Sequence, residues 1–187
     1  MLNYNSTIKE NKNYNDLTIK EIVPIMKLNI RGKKTEFFTN VSKILNMILP
    51  TEANTSSTND KLTSIWLSPD EWMICSNDPI ENNNNSYELE ESIYSNISKN
   101  NLGSVSNVTD QFVMINLEGK KIFELLNSGS PFNFNEFKEK KGLTTQTILN
   151  HIDVIIHNKN INNVNLFVRR SFAEHLWSWM NDSARFL

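Results

Sequence analysis

Three histidines and one cysteine are the side chains of this 187-residue sequence that could ligate a metal ion or act as a nucleophile. His151, Asp153 and His157 alternate along a predicted strand, so their side chains share one face. Residues six apart in a strand are about 20 Å apart, whereas two ligands of one ion must lie within a few ångströms of each other. The pattern therefore predicts the polar, solvent-facing side of a strand, and we expect no metal site.

The other candidates for chemistry are Cys75 and the adjacent carboxylates of Asp70 and Glu71. Cys75 ends an apolar run, which is typical of a small buried residue. Ser68 and Pro69 favour a type I turn, so we interpret the acidic pair as part of that turn. The sequence contains no Gly-x-Ser-x-Gly elbow, P-loop or dinucleotide-binding fingerprint. We predict no catalytic residues.

Arg169 and Arg170 end a predicted strand and should point to opposite sides of it. Each could pair within the chain or contact an acidic group or phosphate of a partner, and both alternatives stay open. The following segment predicts a helix over 172–184 that begins with a capping box at Ser171. Trp177 and Trp179 give this helix a wider aromatic surface than one core contact requires, which favours a subunit interface.

The composition excludes further classes of function. A net charge of −2, from 19 basic and 21 acidic residues, provides no basic field for nucleic acid or an anionic membrane. One cysteine excludes a disulfide framework and a cysteine-based metal site. No apolar run approaches the roughly 20 residues that cross a bilayer, and the N-terminal sequence lacks the pattern of a signal peptide. We therefore expect a cytoplasmic protein whose partners are neither nucleic acid nor membrane.

The elements that must position these residues form two sets. The first set has the order β-α-β-β-α-β of a ferredoxin-like unit, with strands over 23–30, 63–67, 72–75 and 104–108 and helices over 34–48 and 88–98. The second set has strands over 112–117, 147–156 and 164–168 and helices over 120–126 and 172–184. Polar stretches at 51–61 and 78–86 are interpreted as surface loops.

This pattern predicts an α+β fold built from two related ferredoxin-like halves with antiparallel sheets. We expect a flexible N-terminal arm over 1–20, a first β-α-β-β-α-β half over 21–110, and a second α+β half over 111–187 that ends in the aromatic-rich helix.

Several stretches, in a fixed order, resemble the gamma subunit family of heterotetrameric sarcosine oxidase. They are the Trp-Leu-Ser-Pro-Asp-Glu-Trp hairpin at 66–72, the strand after 108–110, and the segments 118–134, 145–149 and 168–177. Together they cover about two-thirds of the chain, roughly residues 62–184. On this resemblance and the aromatic pattern, the candidate subunit-interface residues are Trp66, Asp70, Trp72, Arg169, Arg170, Trp177 and Trp179.

The resemblance implies a fold similar to that of the aminomethyltransferase and YgfZ-type folate-binding proteins. It also implies membership of an alpha–beta–gamma–delta complex that oxidatively demethylates sarcosine to glycine, passes the methyl carbon to tetrahydrofolate and makes hydrogen peroxide. FAD, FMN, NAD, tetrahydrofolate and zinc would be held by the partner subunits, and none by this chain.

Two alternatives stay open. The chain could be a free-standing folate-binding protein of one-carbon metabolism, although its segment 140–147 lacks the cysteine, tyrosine and glutamate of the YgfZ-type signature. It could also be a subunit of another N-methyl amine oxidase, such as a dimethylglycine-type enzyme.

Overall fold

The computed structural model describes residues 6–8, 11–22, 24–79 and 85–187. The chain divides into two compact units. Val23–Asp110 forms the contiguous unit, and Met1–Ile22 together with Gln111–Leu187 forms the split unit. Within the described residues, no helix has the length and apolar character to cross a membrane.

The secondary structure alternates between short strands and amphipathic helices. The strands, in chain order, are β1 (Lys12–Tyr14), β2 (Leu17–Glu21), β3 (Lys27–Gly32), β4 (Ser56–Thr58), β5 (Leu62–Ser68), β6 (Glu71–Ser76), β7 (Gly103–Asn107), β8 (Phe112–Glu118), β9 (Thr144–Leu149), β10 (Ile152–Asn160) and β11 (Asn163–Arg169). The helices are α1 (Thr35–Leu45), α2 (Asn85–Ile93), α3 (Ile122–Gly129) and α4 (Arg170–Ala184). A π-helical turn over Tyr94–Ser98 follows α2, and a 3₁₀ turn covers Phe137–Glu139.

The contiguous unit has an antiparallel sheet in the order β4-β5-β6-β3-β7. Helix α1 connects β3 to the β4–β5 region, and α2 connects β6 to β7, which is the ferredoxin-like arrangement with β4 added at one edge. Alternate strand residues such as Ile30 and Ile74 pack against Phe37, Val41 and Leu45 of α1. The two helices and four strands expected for this unit occur in the expected order, and β4 is an additional strand that the sequence pattern did not indicate.

The split unit has a sheet in the order β1-β2-β8-β11-β10-β9, and its neighbouring strands all pair antiparallel. Its inner strands β2-β8-β11-β10 repeat the order β7-β3-β6-β5 of the contiguous unit. Strand β2 corresponds to β7 in this order. It comes from the N-terminal segment, whereas β7 is the last strand of the contiguous unit. The predicted fold class, α+β with two related antiparallel halves, is confirmed, and one half is a permuted version of the other.

The predicted flexible arm over 1–20 is wrong for residues 12–20, where β1 and β2 form, and its residues 1–5, 9 and 10 lie outside the described residues. Strand β2 pairs with β8, and its residues Leu17 and Ile19 are buried in the core of the split unit. The strand is short and only these two residues alternate inward, so its period-two signal is weak against a polar background. The sequence pattern therefore did not predict β2, the strand that pairs with β8 in this sheet.

The predicted single strand over 147–156 is also wrong, because a turn divides it. Asn150 and His151 both have positive φ, 49° and 65°, and they join Leu149 of β9 to Ile152 of β10. Such a pair of residues is the two-residue type I′ hairpin turn. Asn tolerates this conformation, but the usual Asn-Gly signal is absent.

Three further predictions need adjustment. The loop over 51–61 contains the short edge strand β4. Most of the loop over 78–86 lies outside the described residues, and α2 begins at Asn85 within it. Helix α4 begins at Arg170, and no side chain caps it, so the capping box predicted at Ser171 is wrong.

Candidate functional site

The three histidines occupy unrelated positions in the split unit. His151 is exposed in the β9–β10 turn, His175 is exposed on α4, and His157 is buried in β10. Burial, with a smaller contribution from the charge of Lys159, lowers the pKa of His157 to about 4. No group of three metal-ligating side chains occurs among the residues that the structure describes.

Cys75 lies in β6 and is buried. Burial raises the pKa of its thiol to about 12, although the charge of Lys27 acts in the opposite direction. Because the thiolate is the nucleophilic form of cysteine, this side chain is a packing residue at neutral pH.

Asp70 belongs to a charged cluster at the β5–β6 turn, which we call the hairpin cluster and define as Arg31, Lys33, Asp70 and Glu71. The Ser68 hydroxyl donates to Asp70 Oδ1 at 2.9 Å, and Arg31 and Lys33 lie 3.7 and 3.6 Å from the carboxylate oxygens. The Ser68 hydrogen bond and, to a smaller extent, the two cations hold the pKa of Asp70 below its usual value.

Glu71 completes the hairpin cluster. Its Oε1 accepts a hydrogen bond of 2.6 Å from Asn29, and its Oε2 lies 3.8 Å from Arg31. Both carboxylates are therefore engaged within the chain, which leaves the exposed cations Arg31 and Lys33 as the outward part of the cluster.

The two hairpin tryptophans differ in environment. Trp72 is 1% exposed, its indole N–H donates to the Pro50 carbonyl at 2.8 Å, and its ring packs on Phe37 and Phe38. Trp66 lies opposite Trp72 in β5 and is half-buried against the same core. Trp72 therefore presents no surface to a partner, and its prediction as an interface residue is wrong.

The tryptophans of α4 also face inward. Trp177 is buried in the core of the split unit, and the half-buried ring of Trp179 lies against Gly129, where a Cβ atom would overlap it. The buried residues of α4 form one continuous helical stripe: Ala173, Leu176, Trp177, Met180, Asn181 and Ala184. The outward aromatic residues of this region are Phe172 and Phe186, neither of which was predicted as an interface residue.

Arg169 and Arg170 are separated by the strand–helix junction. The exposed guanidinium of Arg169 lies over the ring of Phe112 at 6.0 Å from its centroid, which is a cation–π contact. Arg170 is half-buried, and its backbone N–H donates to the Gln111 carbonyl at 2.9 Å.

A cleft of about 400 Å³ opens beside Arg169 on the sheet of the split unit. Four of its lining residues follow one another across β8, β11, β10 and β9: Phe112, Arg169, Asp153 and Ile148. This row could not be predicted from a single strand over 147–156, because Ile148 and Asp153 lie side by side only when β9 folds back onto β10.

Comparison with known proteins identifies the family. The model of the "Sarcosine oxidase, gamma subunit family" matches residues 31–185. The chain belongs to the sarcosine oxidase gamma subunit family. The match includes the hairpin cluster and all of α4, and the family predicted from the sequence is confirmed. Among curated proteins, none matches this chain.

Two solved structures share the fold. A heterotetrameric sarcosine oxidase from Corynebacterium sp. U-96, in complex with pyrrole 2-carboxylate, contains a chain that is 17% identical with a TM-score of 0.80, and the alignment covers 91% of this chain and 84% of that one. Aminomethyltransferase T of the glycine cleavage system from Bartonella henselae is 13% identical with a TM-score of 0.60, and 90% of this chain spans 46% of that protein. At these identities the likeness concerns the fold.

Proposed function

We propose that this chain is a non-catalytic gamma subunit of a heterotetrameric sarcosine oxidase, assembled with alpha, beta and delta subunits. The observation that carries the proposal is the family match over 31–185, and the fold shared with a chain of a heterotetrameric sarcosine oxidase supports it. The complex would oxidatively demethylate sarcosine to glycine, pass the methyl carbon to tetrahydrofolate and produce hydrogen peroxide.

The side chains that could perform chemistry support a structural role for this chain. The Cys75 thiol and the His157 imidazole are buried in forms that neither attack nor exchange a proton readily near neutral pH. Asp70 is held by a hydroxyl and two cations at the surface. In this proposal the partner subunits bind FAD, FMN, NAD, tetrahydrofolate and zinc, and the gamma subunit contributes surfaces for assembly.

Co-expression with the alpha, beta and delta subunits, followed by gel filtration and an assay of hydrogen peroxide formation from sarcosine, tests the proposal. We expect this chain to co-elute with the other three and with the oxidase activity. Elution of this chain alone, with full activity in a complex of the other three, would contradict it. Replacing sarcosine by dimethylglycine in the same assay separates this proposal from a subunit of another N-methyl amine oxidase.

Titration of the isolated chain with tetrahydrofolate tests the remaining alternative, a free-standing folate-binding protein. The fold shared with aminomethyltransferase T makes this experiment informative. We expect no saturable binding by this chain, whereas micromolar binding would favour the alternative.

A further inference from the structure

Strand β9 differs from the other strands at the sheet edges. It is six residues long, whereas the edge strands β1, β4 and β7 have three, three and five residues. It contains no charged residue and no proline, and its pairing with β10 runs without a bulge. Short length, charge, proline and bulges are the features that normally prevent an edge strand from pairing with another chain, and β9 has none of them.

The backbone of β9 offers hydrogen-bonding groups at Ile148. The Asn158 N–H of β10 donates to the Leu143 carbonyl at 2.8 Å. Because residues of an antiparallel pair alternate between facing the partner strand and facing away, the N–H and C=O of Ile148 point away from β10. Within the described part of the chain, no residue bonds to these two groups. The Ile148 side chain is 38% exposed.

The sheet face next to this edge carries a carboxylate that a residue paired with β9 could contact. Asp153 of β10 lies directly opposite Ile148 and lines the same cleft. Asp153 is exposed and forms no ion pair with any described residue. The neighbouring cation is Arg169 of β11. Its guanidinium lies over the ring of Phe112 in β8, the strand on the other side of β11 from β10.

The spacing between strands determines which side chain of an added segment could contact both Ile148 and Asp153. A segment added to β9 would lie about 10 Å, two strand spacings, from β10. A lysine or arginine of that segment spans this distance together with the aspartate side chain. Its aliphatic stem would cover Ile148, while its charge would meet the Asp153 carboxylate. An acidic side chain would instead be repelled by Asp153.

We propose that β9 is a docking strand for an extended segment of a partner subunit, which pairs with the backbone at Ile148 and places a basic side chain over Ile148 against Asp153. This is strand addition at an exposed sheet edge, in which backbone bonds supply affinity and the side-chain contact supplies specificity. The inference rests on the proposed function, since the partner is one of the other subunits of the complex.

Amide hydrogen exchange on the wild-type chain, alone and in the co-expressed four-subunit complex, tests the pairing. We expect the Ile148 amide to exchange rapidly in the isolated chain and at least about tenfold more slowly in the complex. Gel filtration of the isolated chain at the same concentration records whether it self-associates.

Substitutions test the side-chain contact, measured as the dissociation constant of this chain from the complex on dilution. Asp153→Asn should weaken binding about threefold to tenfold, whereas Asp182→Asn, an exposed aspartate on α4, should change it less than about twofold. Ile148→Pro removes the outward N–H without removing a bond to β10 and should weaken binding by about tenfold. Ile148→Val keeps the N–H and serves as its control. Equal melting temperatures of the variants verify folding.

Each outcome decides the proposal. A complex that forms without slower exchange at Ile148 would overturn the docking strand and leave the proposed function intact. A wild-type chain that fails to join the complex would overturn both. Slow exchange at Ile148 in a self-associated isolated chain would make a second copy the occupant and overturn the proposal. Weakening by Asp182→Asn equal to that by Asp153→Asn would overturn the basic side-chain contact.

Discussion

The contiguous unit and the split unit place four strands in the same order, β5-β6-β3-β7 and β10-β11-β8-β2, yet only the first takes them from consecutive chain. The sheet of the contiguous unit has one further strand, β4 beside β5, whereas that of the split unit has two, β9 beside β10 and β1 beside β2. In the split unit the last strand is supplied by the N-terminal segment. One arrangement of strands can therefore be reached by two chain orders, and the permuted order depends on a segment far away in sequence.

The two units also have separate cores with similar aromatic centres. Phe37, Phe38 and Trp72 pack together in the contiguous unit. In the split unit the corresponding aromatic group is Phe123, Phe132, Phe134 and Phe137. Changes in one centre are therefore expected to act first on the unit that contains it.

The largest expected effect comes from deleting residues 1–22. This change removes Leu17 and Ile19 from the core of the split unit, which costs about 3–6 kcal/mol in burial alone, and it exposes the edge of β8. We expect amides of β8 and β11 to lose their protection while those of β3 and β6 keep most of theirs, as measured by hydrogen exchange. Deletion of residues 1–5 is the control. Equal loss of protection in both units would show that the N-terminal segment does not act on the split unit first.

A matched pair of core substitutions tests whether the two aromatic centres are equivalent. Phe37 and Phe134 are both fully buried, so Phe37→Ala and Phe134→Ala should each lower the free energy of unfolding by about 3–5 kcal/mol. Hydrogen exchange should locate the first effect in the contiguous unit and the second in the split unit. If both variants destabilise the same unit, the two cores do not act separately.

The pH dependence of stability should distinguish the units, because all three histidines lie in the split unit. The pKa of His157 is about 4 in the folded protein, against 6.5 for the ordinary group. The unfolded chain therefore binds the proton more readily, so this contribution is fully present above pH 6.5, decreases as the pH falls, and is lost below about pH 4.

At full size this contribution is about 3 kcal/mol, since one pKa unit corresponds to about 1.4 kcal/mol. Urea unfolding of the wild type and of His157→Gln at pH 7.5 and pH 4.5 measures it. The variant should lose less stability between the two pH values than the wild type does. Parallel pH profiles of the two proteins would contradict this account of His157.

The smallest effect is expected from the substitution of one aspartate in each unit, Asp70 and Asp153. Asp70 accepts a hydrogen bond from Ser68 and its pKa is lowered, so its stabilising contribution is present above the ordinary pKa of 3.8 and is lost as the pH falls below it. Asp70→Asn should lower the melting temperature slightly at pH 7 and by less at pH 2. Asp153→Asn, which removes no ion pair, should leave the melting temperature unchanged at both pH values. A larger effect of Asp153→Asn would show that Asp153 has a structural role.

The sequence was sufficient to predict the contiguous unit because its helices and main strands have clear periodicity. Phe37, Val41 and Leu45 recur at helical spacing in α1, and Ser68-Pro69 indicates the β5–β6 turn. Only β4 was missed, since three polar residues at a sheet edge give no apolar alternation.

The split unit was harder to predict for two physical reasons. Strand β2 gains its stability from pairing with β8, and this contact cannot be recognised from a local pattern of two apolar residues. Asn150 and His151 form a turn without glycine or proline inside a segment that otherwise favours strand.

The candidate sites were also predictable where they depend on local sequence, and were not predictable where they depend on pairing between strands. The location of Arg169 at a strand end was predicted, whereas the row that includes Asp153 and Ile148 depends on cross-strand register. Trp72 and Trp177 were predicted as interface residues because aromatic residues occur both in cores and in interfaces, and their burial assigns them to the cores.

Native mass spectrometry of the co-expressed alpha, beta, gamma and delta chains tests directly whether this chain is a subunit of the complex. If this chain is the gamma subunit, the active assembly should contain one copy of its 21.7 kDa mass for each copy of the other subunits. An active assembly whose mass excludes this chain would show that the chain is not required as the gamma subunit.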